Sequence, residues 1–69
     1  MPTIRVEVNG DPCEVEPATS VEGLVELLGL RPELVAVEVN RELVVRAERG
    51  TRRLADGDAV EIVTLVGGG

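Results

Sequence analysis

The chain of 69 residues contains no lysine, no histidine and no aromatic residue, and it has a single cysteine, Cys13. Histidine and cysteine are the main ligands of zinc, and histidine is the commonest general base, so the sequence predicts no metal site and no conventional side-chain enzyme. A lone cysteine cannot form an internal disulfide, which is typical of proteins in the reducing cytoplasm. Without lysine, the chain offers no side-chain amine as an acceptor for isopeptide links.

Positive charge is scarce, since seven arginines face thirteen acidic residues and the net charge is −6. Nucleic-acid binders usually carry a basic stripe and aromatic stacking platforms, so we expect no nucleic-acid partner. We see no signal peptide and no apolar run near the roughly 18–20 residues that span a membrane, and we therefore expect a cytoplasmic protein without a membrane partner. Four arginines cluster within residues 46–53. We interpret this cluster as a solvated loop, with a partner contact as the alternative.

Alternating apolar and charged residues predict two strands near the start of the chain. Residues 3–8 and 13–16 both alternate with the period of a half-buried strand, and Asn9-Gly10 between them is a strong hairpin signal. Cys13 is in phase with Val15, so we expect it to be a small residue on the inward face rather than a reactive thiol.

One helix is predicted after this hairpin. Thr19 and Glu22 have the spacing of a capping box, with Thr19 as the N-cap. Gly29 is placed to end the helix in the left-handed conformation. The apolar stripe of this helix is expected to contain Val21, Leu24, Val25 and Leu28, widened by Leu27.

Three further strands are predicted at residues 35–39, 43–45 and 59–66, with Gly57 available for a positive φ in the turn before the last one. The element order β-β-α-β-β-β predicts an α+β domain of the β-grasp (ubiquitin-like) type. It has a mixed sheet of four to five strands, covered on one face by one main helix. The last strand is apolar on both faces, so we place it centrally, beside the first strand and parallel to it. We expect residues 1–65 to form the domain and residues 66–69 to form a flexible glycine tail.

The last strand also predicts a docking surface. Glu61 marks its open face, which leaves Val63 and Leu65 exposed just before the tail. Exposed apolar side chains beside a reactive terminus favour partner docking, although two scattered surface aliphatics are also common without any function.

The tail itself, Gly67-Gly68-Gly69, is the remaining candidate site. Glycine has no side chain, so such a tail is narrow enough to enter a tunnel, and the α-carboxylate of Gly69 arrives first. An idle frayed end or a linker is the alternative.

Three segments carry a resemblance to a known family. They are residues 39–46 (VNRELVVR), residues 54–63 with Asp56-Gly57-Asp58 at their centre, and residues 66–69 (VGGG). In this order and spacing, and over essentially the whole chain, the sequence resembles the ThiS family of sulfur carriers in thiamine biosynthesis.

The resemblance implies that the chain is a cosubstrate rather than an enzyme. An adenylyltransferase resembling ubiquitin-activating enzymes (ThiF) would adenylate the Gly69 carboxylate with Mg-ATP, and a sulfur donor such as a cysteine desulfurase would supply the sulfur of a thiocarboxylate. Thiazole synthase (ThiG) would accept that sulfur. The chain itself would bind no cofactor. Gly67 and Gly68 would thread the partners' active sites, and we expect docking through Val63, Leu65, Val66 and Arg46.

Other functions remain open at this point. A carrier of the same fold could serve molybdopterin synthesis or tRNA thiolation, or the chain could be a ubiquitin-like protein modifier joined to other proteins through Gly69. A non-covalent interaction module with idle glycines is a further alternative, and trimming the last two glycines would leave such a module functional.

Overall fold

The computed structural model describes residues 2–65, which form a five-stranded sheet with a helix packed on one face. Along the chain the elements are β1 (Ile4–Val8), β2 (Asp11–Val15), α1 (Val21–Leu27), a first 3₁₀ turn (Pro32–Leu34), β3 (Val35–Val39), β4 (Glu42–Leu43), a second 3₁₀ turn (Arg46–Glu48) and β5 (Ala59–Thr64). The strands lie in the order β2-β1-β5-β3-β4. This is the β-grasp arrangement that the sequence predicts.

The last strand, β5, lies at the centre of the sheet. It runs parallel to β1, with Val8 opposite Val60, and antiparallel to β3, with Val39 opposite the same Val60. A parallel pair cannot be joined by a tight turn, and here the helix and three further strands lie between β1 and β5 in the chain. The predicted central, parallel placement of β5 is therefore confirmed.

The core contains aliphatic side chains from both layers. Val21, Leu24 and Val25 of α1 are fully buried against the inward face of the sheet, and Val6 and Val37 are buried on that face. Burying one such side chain contributes roughly 1.5–3 kcal/mol, so several must pack together to offset the chain entropy.

Cys13 is partly buried and packs against this core, in phase with the buried Val15 on β2. The expected inward orientation of Cys13 is confirmed.

Two tight hairpins fix the register of the outer strands. Asn9 and Gly10 join β1 to β2 with φ of 52° and 88°, and Asn40 and Arg41 join β3 to β4 with φ of 52° and 71°. Two-residue turns with positive φ at both positions match the right-handed twist of the strands. Asparagine and glycine adopt this conformation readily, whereas Arg41 does so at a steric cost.

The helix begins one residue later than predicted. Ser20, not Thr19, is the N-cap, and its hydroxyl accepts a hydrogen bond from the Gly23 N–H at 2.9 Å. The Thr19 hydroxyl donates instead to the Glu16 carbonyl in the preceding turn. The predicted capping box of Thr19 and Glu22 is therefore wrong, because either hydroxyl residue can cap a helix and the chain geometry before it decides which one does.

The helix also buries fewer residues than predicted. Leu27 is 65% exposed and Leu28 is 40% exposed, and α1 ends at Leu27 after only seven residues, about two turns. Gly29 follows with a φ of 73°, which confirms the predicted left-handed stop.

Within residues 2–65, no helix is long and apolar enough to cross a membrane.

The fourth and fifth strands have different limits from those predicted. The two-residue turn brings Glu42 opposite Val39, so β4 begins at Glu42 and ends at Leu43 rather than covering residues 43–45. Strand β5 ends at Thr64, which is exposed although it is in phase with Ile62. Thr64 lies opposite the first residue of β3, at the end of the sheet.

Candidate functional site

The predicted reactive group lies at a part of the chain that the structure does not describe. Gly67, Gly68 and Gly69, and the predicted docking residue Val66, fall outside residues 2–65. Their roles therefore stay predictions. The structure does describe the end of β5 and the residue after it, Thr64 and Leu65, from which this segment continues. We call these two residues the tail root.

The root is tied to the start of β3. Beyond Thr64, the Leu65 N–H donates a hydrogen bond of 2.6 Å to the carbonyl of Leu34, the last residue of the first 3₁₀ turn. This hydrogen bond holds the chain beside the β3 side of the sheet for one residue beyond the end of β5.

The end of β5 presents its apolar side chains on the open face of the sheet. Val63 is 57% exposed and Leu65 is 49% exposed, and Val63 lies opposite Ala36 of β3. The predicted exposure of Val63 and Leu65 is confirmed. Their role in docking stays a prediction.

Two carboxylates lie next to this apolar pair. Glu38 of β3 is directly opposite Glu61 of β5, and both are exposed. Within residues 2–65, the ion pairs shorter than 4.0 Å join Arg5 to Glu14 and Arg31 to Glu33, so neither Glu38 nor Glu61 has a cationic partner there. Like charges directly opposite in a sheet are destabilising, so the open face carries an uncompensated negative charge at its centre.

An asparagine side chain completes the parallel pairing of β5. The Asn9 amide accepts a hydrogen bond from the Ile62 N–H at 2.8 Å and donates one to the Ile62 carbonyl at 3.1 Å. Strand β1 ends at Val8, so Asn9 occupies with its side chain the place where a further strand residue would bond. The sequence pattern predicts only a turn at Asn9 and gives no sign of this link to β5.

The Asp56-Gly57-Asp58 turn fixes the beginning of the same strand. Gly57 has a φ of 90°, as predicted. The Asp56 carboxylate accepts the Arg5 N–H at 2.8 Å, and the Asp58 carboxylate accepts a hydrogen bond from the Asn40 amide at 3.0 Å. The turn at Asn40 and the Asp56-Gly57-Asp58 turn, which are separate motifs in the sequence, therefore contact each other at the start of β5.

The arginine cluster divides into exposed and buried members. Arg46 is exposed, as predicted for a docking residue, and so is Arg53. Arg49 is only 4% exposed, and its guanidinium donates to the Pro32 carbonyl at 2.9 Å and to the Val35 carbonyl at 2.7 Å. The interpretation of the cluster as a solvated loop is therefore wrong for Arg49.

Arg46 lies within electrostatic reach of the first 3₁₀ turn. The pKa of the Glu33 carboxyl lies below its usual range, first because it accepts a hydrogen bond from its own backbone N–H. The adjacent guanidinium of Arg31, 3.0 Å away, and the positive charge of Arg46 lower the pKa further. Glu33 precedes Leu34, the residue whose carbonyl accepts the Leu65 N–H.

Known proteins resemble this chain in sequence over nearly all of its length. The sulfur carrier protein ThiS of Thermus thermophilus is 42% identical over 64 residues, which are 93% of this chain and 98% of that protein. A thiazole synthase of Magnetococcus marinus is 41% identical over 66 residues, or 96% of this chain, but this chain spans only 20% of the length of that protein.

A solved structure supports the same relationship in three dimensions. The crystal structure of the thiamine biosynthesis protein ThiS from Geobacter metallireducens superposes with a TM-score of 0.79 at 36% identity, covering 96% of this chain and all of that one. The sequence model of the ThiS family matches residues 3–69, including the three terminal glycines. The chain therefore belongs to the ThiS family.

Proposed function

We propose that this protein is the sulfur carrier for the thiazole of thiamine, and that the C-terminal carboxylate of Gly69 carries the sulfur. The observation that carries this proposal is the family match through residues 67–69, directly behind a central strand whose end is tied to β3. A side-chain inventory without histidine or lysine is consistent with a carrier that takes its chemistry from partner enzymes.

The chemistry needs activation of a carboxylate. A free carboxylate is a poor electrophile, so an adenylyltransferase of the ThiF type uses Mg-ATP to form an acyl adenylate at Gly69 and releases pyrophosphate. Hydrosulfide then attacks the acyl carbon and AMP leaves, which gives the thiocarboxylate without any change of oxidation state. A cysteine desulfurase persulfide serves as the biological donor if a thiol cleaves the acyl disulfide that it first forms.

The glycines determine what can enter the partner's active site. Leu65 is still bonded to Leu34, so the four residues that follow it form the arm, which reaches at most about 14 Å when extended. Gly67 and Gly68 add no side chain to this arm, so a narrow tunnel can admit it. The sheet remains outside the tunnel and serves as the docking body.

Thiazole synthase (ThiG) is the acceptor that the comparisons favour. In the Magnetococcus marinus protein, which is named thiazole synthase, a segment like this chain makes up 20% of one polypeptide. A segment like this chain within a protein of that name supports direct transfer of sulfur from the carrier to thiazole synthase.

The open face of the sheet is the proposed docking surface, with the ThiF-type enzyme as its first occupant. Val63 and Leu65 supply the exposed apolar area, and Glu38 and Glu61 supply unpaired negative charge beside it. A complementary partner surface is therefore basic around an apolar centre, and its association rate falls as the salt concentration rises. Arg46, which is exposed, and Val66 are the other two residues proposed to contact the partner.

Intact mass spectrometry tests the carrier function. The full chain is incubated with the ThiF-type enzyme, Mg-ATP and sulfide, and the expected product has one oxygen replaced by sulfur. The same chain without Gly68 and Gly69 is the control and should keep its mass. Covalent adducts with other proteins in place of a thiocarboxylate would favour the protein modifier, and an uncharged full-length chain beside a charged Thermus thermophilus relative would contradict the proposal.

A further inference from the structure

Arg49 is a buried cation that forms no salt bridge with any residue in the described part of the chain, 2–65. It is 4% exposed and is the one charged residue among residues 2–65 that is buried. The described residues place no carboxylate within 4.0 Å of its guanidinium, and its Nε has no hydrogen-bond partner. Removing a guanidinium from water without pairing it is unfavourable, so the two carbonyl groups that it does bind must offset part of this cost.

Both of these carbonyls belong to the segment on which the tail root rests. Arg49 Nη1 donates to Pro32 at 2.9 Å and Nη2 donates to Val35 at 2.7 Å. Between these two residues lies Leu34, whose carbonyl accepts the Leu65 N–H at 2.6 Å. One guanidinium therefore fixes a four-residue segment from one side, while the same segment receives the end of β5.

Arg49 is itself held by the helix. Its own carbonyl accepts the Glu22 N–H at 3.0 Å, in the first turn of α1. A continuous series of contacts thus joins the helix, Arg49, the segment 32–35 and Leu65. The planar fork of arginine suits this task, because it presents two donors in fixed geometry to two acceptors, which a lysine ammonium cannot do equally well.

We propose that Arg49 is a positioning residue for the C-terminal arm, which sets the direction in which the chain leaves β5 toward a partner's active site. This rests on the proposed function, since it is Gly69 that must reach the adenylylating centre. When the four residues after Leu65 are held extended in a partner's active site they span at most about 14 Å, so a change of about 15° at the root displaces their far end by about 4 Å. A much smaller misplacement of reacting groups already lowers catalytic rates. The direction of the chain at Leu65 therefore controls how fast the carrier is charged.

The test compares Arg49→Met and Arg49→Lys with Arg53→Met as the matched control. Arg53 lies on the same loop and also donates to a carbonyl, that of Ala18 at 2.9 Å, but this hydrogen bond is exposed and does not involve the segment 32–35. Amide hydrogen exchange is measured by NMR at Leu65 and at Ile62. The Ile62 N–H is held by Asn9 and serves as the internal reference for overall stability.

In Arg49→Met we expect the protection of Leu65 relative to Ile62 to fall about tenfold or more, as the loss of hydrogen bonds from a charged donor implies. Arg49→Lys should give an intermediate ratio and Arg53→Met an unchanged one. With the ThiF-type enzyme, the kcat for charging Arg49→Met should fall about tenfold while KM stays within about twofold, because the open face that docks is untouched. A merely structural loss would lower both amides together and leave kcat of the folded fraction unchanged.

An unchanged Leu65 to Ile62 ratio in Arg49→Met would overturn the proposal, as would a lowered ratio with normal kcat. If Arg49→Met does not fold, the same two readouts on Arg49→Lys decide. A wild-type chain that is never charged would contradict the proposed function instead, and the exchange ratio would still report whether Arg49 orients the root.

Discussion

Replacement of Asn9 by glycine should destabilise the protein although glycine suits the backbone there. Asn9 has a φ of 52°, which glycine adopts without strain, so the turn itself survives. The variant loses both hydrogen bonds between the Asn9 amide and Ile62, at 2.8 Å and 3.1 Å. The substitution therefore isolates the side-chain link between β1 and the part of β5 that leads to the tail.

The expected loss in the free energy of unfolding follows from the number of hydrogen bonds that the substitution removes. Each hydrogen bond contributes about 0.5–1.5 kcal/mol net, so two give a loss of about 1–3 kcal/mol. For a domain of this size, each kcal/mol lowers Tm by about 4–8 °C. Ile62 is 8% exposed, so its freed N–H and carbonyl have restricted access to water, which favours the upper part of this range.

Urea unfolding followed by far-UV circular dichroism measures this loss, since a chain without aromatic residues has no intrinsic fluorescence to follow. Ala18→Gly is the control, because Ala18 has a φ of 70° and its side chain makes no hydrogen bond. We expect Ala18→Gly to be about 0.5–1 kcal/mol more stable than the wild type. Glycine relieves the strain of the left-handed conformation, and this gain exceeds the additional backbone entropy that glycine loses on folding. An Asn9→Gly variant as stable as Ala18→Gly would refute the reasoning.

Three further variants test other parts of the molecule. Arg41→Gly should stabilise the protein by about 0.5–1 kcal/mol in urea unfolding, because it removes a side chain from a position with a φ of 71°; a loss of stability would contradict the turn assignment. Glu61→Gln should raise stability by about 0.2–1 kcal/mol, since it removes the repulsion from Glu38, and should raise KM for the ThiF-type enzyme about two- to fivefold. The exposed helix variant Glu26→Gln should leave KM unchanged, and an equal KM for both variants would exclude the acidic docking face. Gly68→Val should fold normally but resist charging in the mass assay, whereas Gly50→Val, at a loop position open to a β-carbon, should be charged normally; a charged Gly68→Val would count against the tunnel.

The topology was predictable because local signals and the global arrangement agree. The alternating pattern around the Asn9-Gly10 turn predicts the first hairpin, and a last strand apolar on both faces requires a place at the centre of the sheet. The errors lie at element ends. Ser20 replaces Thr19 as the N-cap, because two neighbouring hydroxyl residues are equivalent in the sequence and differ only in where the preceding turn directs them.

The candidate site was predictable in part. The exposure of Val63 and Leu65 follows from strand phase, since Glu61 marks the open face. The burial of Arg49 does not follow from the sequence, because arginine in a polar loop is usually solvated and only the folded chain brings two carbonyls within its reach. The same holds for the Asn9 amide, whose partner is 53 residues away in the chain.

Transfer of labelled sulfur tests the central claim most directly. The chain is charged with a heavy sulfur isotope at its terminal carboxylate, purified, and given to thiazole synthase together with the other thiazole precursors, with unlabelled sulfide present as a competitor. We predict that the thiazole carries the heavy isotope and that the chain returns to its uncharged mass in equal amount. A thiazole containing only the unlabelled sulfur, with the charged chain intact, would contradict the account.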